Sequence, residues 1–110
     1  MRLIEVDLLI QVATQRFKEQ FGSSGFVSVH KVFNSFLFDA KYATTIDINP
    51  RQIDADELKR KFTDWFDSRY RDTDPFEKHV CRVYKLLVDT VDDMPNAIKG
   101  VHLSALKEMH

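Results

Sequence analysis

Residues 73–94, TDPFEKHVCRVYKLLVDTVDDM, set the terms for the rest of the chain. Asp74 as an N-cap, Pro75 at the first helical position and Glu77 at the third predict a helix start: the carboxylate satisfies an orphan N–H, and proline has none to orphan. At 100° per residue, Phe76, Val80, Cys81, Val83, Tyr84, Leu86, Leu87, Val88 and Val91 cover an arc of roughly 220°. An arc so wide needs neighbours on at least two sides, so this stretch is read as the central helix. Cys81 lies on that arc, and the spacing predicts a buried, inert thiol.

The helix that precedes it is read just as locally. Asp54 and Glu57 form a second start signature. The segment they open, 55–70, puts Ala55, Leu58, Phe62, Trp65, Phe66 and Tyr70 on one face. Residues 3–21 place Leu3, Val6, Leu9, Ile10, Ala13, Phe17 and Phe21 on one stripe, with Gly22 positioned as a left-handed terminator. A short strand over 2–6, capped by Asp7, is the alternative for the first turn. Ser28 is read as the cap of a helix over 29–41, with Val29, Val32, Phe33, Phe36, Leu37 and Ala40 inward.

Residues 43–48 lose the helical period and gain β-branched side chains, which predicts an extended connector or short strand. Asn49–Pro50 is read as its end and as the start of one helical turn. Pro95 should stop the central helix, and Asn96 is placed to cap a last helix through Ile98, Val101, Ala105, Leu106 and Met109. The expected fold is mainly α, a single-domain bundle over residues 1–110 of four to five helices with room for one short strand pair. Three glycines and three prolines are too few for a turn-rich sandwich.

Charge narrows the function classes. The net charge is −1, and it is balanced locally. Residues 1–50 and 51–73 each hold equal numbers of basic and acidic side chains, and 74–110 hold one extra acid. A nucleic-acid binder usually concentrates cations on one surface. The best candidate for that class is the 55–71 stretch, where Lys59, Arg60, Arg69 and Arg71 interleave with aromatics. Its carboxylates at i, i+4, as in Arg60–Asp64, favour a mixed solvated face instead. Arg69 is unusual in pointing into the aromatic stripe.

His79 and Cys81 diverge by about 200° on a helix, so they do not share an ion. The Asp92–Asp93 pair reads as a solvated helix end. There is no CxxC, HExxH, Walker A or GxGxxG pattern. No cofactor, metal site or catalytic residue is expected. No stretch reaches the ~20 apolar residues of a membrane span, and no cleavage site follows the apolar run from Leu3 to Ala13, so a cytoplasmic location without membrane attachment is expected.

Two helices carry apolar residues off their core stripes: Ile4, Leu8 and Val12 on the first, Phe38 and Tyr42 on the second. A repeating i, i+4, i+8 row is a strip rather than scatter. These five residues are read as a partner interface, most simply that of a homodimer. The function this implies is a small non-enzymatic helical interaction module (an adaptor, regulatory subunit or inhibitor). A helical or winged-helix-like nucleic-acid-binding domain is the alternative.

Overall fold

Strand β1 (Leu3–Glu5) opens the chain and runs without a loop into α1 (Val6–Phe21). These elements come from a computed structural model that describes residues 1–48, 50–70 and 78–97. Helix α2 (Val27–Lys41) follows, then the hairpin β2 (Thr45–Ile48) and β3 (Arg51–Asp54), then α3 (Ala55–Tyr70) and α4 (Lys78–Asp93). The architecture is the mainly helical one expected; among the described residues it has four helices and a small antiparallel sheet of three strands rather than two.

The sheet order is β1-β3-β2, so the last strand of the hairpin is central. Ile4 faces Ile53 and Glu5 faces Gln52; on the other side Ile48 faces Arg51. Pro50 therefore leads into a strand, not into a helical turn. Arg51 secures the hairpin by donating to the Thr45 hydroxyl and the Ala43 carbonyl, both at 2.9 Å. The register slips between Thr45 and Asp47, an irregularity that blunts the outer edge.

The alternative start for α1 is the one that forms, with one change. Glu5, extended at φ −85° and ψ 122°, takes the cap position instead of Asp7 and makes no side-chain capping bond. Its backbone is already held in the sheet. Helix α2 likewise starts two residues early, with Phe26 rather than Ser28 as its cap. Gly22 is right-handed (φ −59°), contrary to the expected left-handed turn. Close approach constrains it instead, since a Cβ there would stand 2.5 Å from the Lys18 carbonyl oxygen.

Asp54 caps α3 as expected, its Oδ1 accepting from the amides of Asp56 (3.0 Å) and Glu57 (3.4 Å). Asp74, Pro75, Phe76, Glu77 and the last helix, from Ile98 on, lie outside the described residues.

One apolar cluster joins all the elements that carry buried side chains. It includes Leu9, Phe17, Val29, Phe36, Ile53, Phe62, Val83 and Leu87. Phe17 stacks on Phe33 with ring centroids 4.1 Å apart, and Phe36 meets Phe62 edge-on at 5.2 Å. Helix α4 touches α1, α2 and α3, as a central helix should. Its enclosed arc is narrower than predicted: Val80, Val83, Leu87, Thr90 and Val91 are buried, while Tyr84, Leu86 and Val88 are half-buried. Cys81 falls about 130° from the centre of that arc and is exposed, so the buried-thiol reading is corrected.

The C-terminal end of α4 is densely tied. Arg2 donates to the carbonyls of Val91 and Met94, Lys59 pairs with Asp92 at 2.7 Å, and Arg16 pairs with Asp93 at 2.9 Å. A carboxylate pair is unfavourable at the negative end of a helix dipole, and these three cations offset it. After the helix, the amide of Ala97 donates to the Leu3 carbonyl at 2.8 Å, bringing the chain back to β1.

Candidate interaction surface

The outer face of α2 is where the expected site and the structure meet. Phe38 is 58% exposed and Tyr42 69%, their rings in contact at 4.6 Å and tilted by 41°. Val27, at 67% exposure, lies on the same face three to four turns earlier. Lys31 and Lys41 are exposed along the same helix. At 100° per residue, Val27, Lys31, Phe38 and Tyr42 fall within about 60° of one another, so the face is continuous.

Beside this face runs an open groove of about 360 Å³, lined by Lys31, Asn34, Ser35 and Phe38 of α2 and by Trp65 and Arg69 of α3. Helices α2 and α3 are antiparallel, so at the other end of their seam Asp39 and Tyr42 stand by Asp54, Glu57 and Lys61 around a cavity of about 40 Å³. The groove floor is aromatic. Trp65 is half-buried and stacks on Phe62 (5.9 Å, 13° between planes), with Tyr70 against it edge-on at 6.0 Å.

The electrostatics differ along the seam. Asp39 is the sole carboxylate of α2 and is buried. Burial holds its carboxyl above the ordinary aspartate value, and the nearby Lys61 ammonium opposes that shift. Among the described residues, no carboxylate lines the groove. Lys31, Lys41 and Arg69 form no ion pair among the described residues.

Of the five residues expected at a partner interface, the structure divides α1 from α2. Ile4 is fully buried in β1 opposite Ile53, Leu8 is 8% exposed, and Val12 is half-buried against the core. The off-stripe row of the first helix is therefore enclosed within the chain, because β3 as well as α2 and α4 packs against α1. Phe38 and Tyr42 remain on the surface. Among the cations of the nucleic-acid alternative, Lys59 is engaged by Asp92 and Arg60 lies 3.5 Å from Asp64. Arg69 is exposed in the groove instead of lying within the aromatic stripe, and Arg71 lies outside the described residues.

Three members of the surface, Val27, Lys31 and Lys41, were not singled out from sequence. Placing the helix start at residue 29 left Val27 out. Lys31 signals a site only once α3 supplies Trp65 and Arg69 across the groove. Elsewhere, His79 is exposed and stacks on Phe26 at 4.7 Å, away from Cys81. Among the described residues, no group of three or more His, Cys, Asp or Glu is placed to hold a metal ion, and no helix is long and apolar enough to cross a membrane. Comparison with known proteins found no matching family model, no matching curated protein and no matching solved structure.

Proposed function

We propose that this chain is a small non-enzymatic protein-interaction module that docks its partner on the outer face of α2 and the adjoining α2–α3 groove. The observation behind this reading is the exposed contact pair Phe38 and Tyr42, with Val27 farther along the same helix face. Single exposed apolar residues are ordinary, but three on one face beside an aromatic-floored groove make a patch. Aromatic side chains next to a half-buried tryptophan are also the type that anchors interfaces.

A partner other than a second copy fits this face better than the homodimer suggested by sequence. The row on α1 that argued for self-association is enclosed. A twofold interface sets a patch against itself, and here that would set a face carrying Lys31 and Lys41 against another carrying the same cations. The nucleic-acid reading has less support, because Lys59 and Arg60 already face carboxylates of the same chain.

A photo-reactive side chain in place of Tyr42, installed in cells that make the protein, tests the reading against one in place of Gln11, an exposed residue of α1. The expected result is a discrete adduct with another protein at position 42 and none at 11. Adducts between two copies of this chain would restore the homodimer. Indistinguishable labelling at the two positions would remove α2 as the docking face.

A further inference from the structure

Granted that α2 docks a partner, we infer that the occupant is an acidic amphipathic segment. Its apolar side chains would sit between Phe38 and Trp65, and its carboxylates would reach Lys31, Lys41 and Arg69.

Charge complementarity carries the argument. Two helices deliver cations to one groove, Lys31 from α2 and Arg69 from α3, and the other polar side chains that line it among the described residues, Asn34 and Ser35, are neutral. Lys59 and Arg16 are met by Asp92 and Asp93 of the same chain. Among the described residues Lys31 and Arg69 have no such partner, and the one carboxylate of α2 is buried on the side towards Lys61. A carboxylate between Lys31 and Arg69 would relieve their mutual repulsion and gain charge-assisted hydrogen bonds from both.

The apolar part of the site sets the shape of the occupant. From Val27 to Tyr42 the face runs for about 22 Å, the length of four helical turns. A helix laid along it would use apolar anchors at i, i+3 or i+4, and i+7, with acids flanking them.

Nucleic acid shares the attraction to cations but fits the aromatics less well. Base stacking needs a free ring face. Trp65 is stacked on Phe62, and Phe38 and Tyr42 lean on each other. Three cations also neutralise few phosphates, which leaves weak binding at physiological salt.

The test is selection of a displayed library of random peptides of about 16 residues against the full chain, followed by titration of Trp-free versions. Trp65, the single tryptophan of the sequence, reports binding from the groove floor. The expected winners are rich in Asp and Glu, with Leu, Ile or Phe at helical spacing. Lys31→Glu with Arg69→Glu, shown by circular dichroism to be folded, should weaken them by about tenfold or more and shift a repeat selection towards basic peptides.

Winners without acidic bias that ignore the charge reversal but are lost in Phe38→Ser with Tyr42→Ser would overturn the acidic occupant and leave the docking face standing. Winners indifferent to both pairs of substitutions, or no winners, would remove both. A single-stranded oligo-dT that binds more tightly than any selected peptide at physiological salt would overturn the inference in favour of nucleic acid.

Discussion

Helices α1 and α2 share an oddity in sequence, an apolar row set off from the core stripe, and the fold treats the two rows in opposite ways. On α1 the row is enclosed; on α2 it is left on the surface. The difference lies in what packs behind each helix. Helix α1 has α2 and α4 on it and also β3, a strand formed nearly fifty residues later in the chain. Helix α2 packs against α1, α3 and α4, and nothing among the described residues covers its outer face. An off-stripe row thus says that a helix face seeks cover, and only the tertiary arrangement says whether the chain supplies that cover itself.

The sharpest way to break this comparison is to put a charge in each row. Leu8→Glu buries a carboxylate with no partner provided for it, and should cost at least ~3 kcal/mol or abolish folding, as read by urea melts. A folded, cooperative Leu8→Glu variant would mean that the first row is surface after all. Leu87→Ala, at a fully buried position of α4, should cost ~2–5 kcal/mol; a loss below ~1 kcal/mol would make α4 peripheral. Asp54→Ala should cost ~1 kcal/mol by freeing the two amides at the start of α3.

The next effect is one of pH rather than size. Asp39, on the seam between α2 and α3, titrates above the ordinary aspartate value of 3.8 because it is buried, with Lys61 opposing. The folded state therefore binds this proton more tightly than the unfolded state does. The stability this adds is fully present below about pH 4 and is lost as pH rises through the folded value. Asp39→Asn should remove that loss, so its urea midpoint should gain on the wild type as pH rises from acid to neutral. Parallel pH profiles for the two proteins would show that Asp39 is not protonated preferentially in the fold. The smallest expected effect is for Phe38→Ser with Tyr42→Ser, which should change stability by less than ~0.5 kcal/mol each. A loss comparable with that of Leu87→Ala would put the second row in the core and leave α2 no docking face.

The sequence disclosed the elements whose signals are local. Helix α3 runs over the residues its capping aspartate and apolar period predict, because Asp54 and the stripe through Phe66 need no distant partner to be recognised. Strand β3 was hidden: of Arg51, Gln52, Ile53 and Asp54 only Ile53 is apolar, yet Gln52 is as buried as its neighbour because it lies in the middle strand. No alternation could show that. The candidate surface was half legible. Phe38 and Tyr42 are visible as a misplaced i, i+4 pair, whereas the meeting of Lys31 with Trp65 and Arg69 depends on how α2 crosses α3. Cys81 misled for the complementary reason, since an apolar arc read at full width overstates how much of a helix its neighbours enclose.

The stitching of α4 to the first residues of the chain bears on the order in which this protein is made. Arg2 holds the carbonyls of Val91 and Met94, and Leu3 accepts from Ala97. A ribosome delivers Arg2 and Leu3 some ninety residues before their partners. Helices α1 and α2 are free to form and meet while synthesis continues. Strand β1, however, must wait for β3, and Arg2 must wait for the last turn of α4 before its carbonyl partners exist. Residues 2–5 thus reach their final contacts only after much later parts of the chain are made, and until then the apolar side of β1 is open to whatever meets the nascent chain.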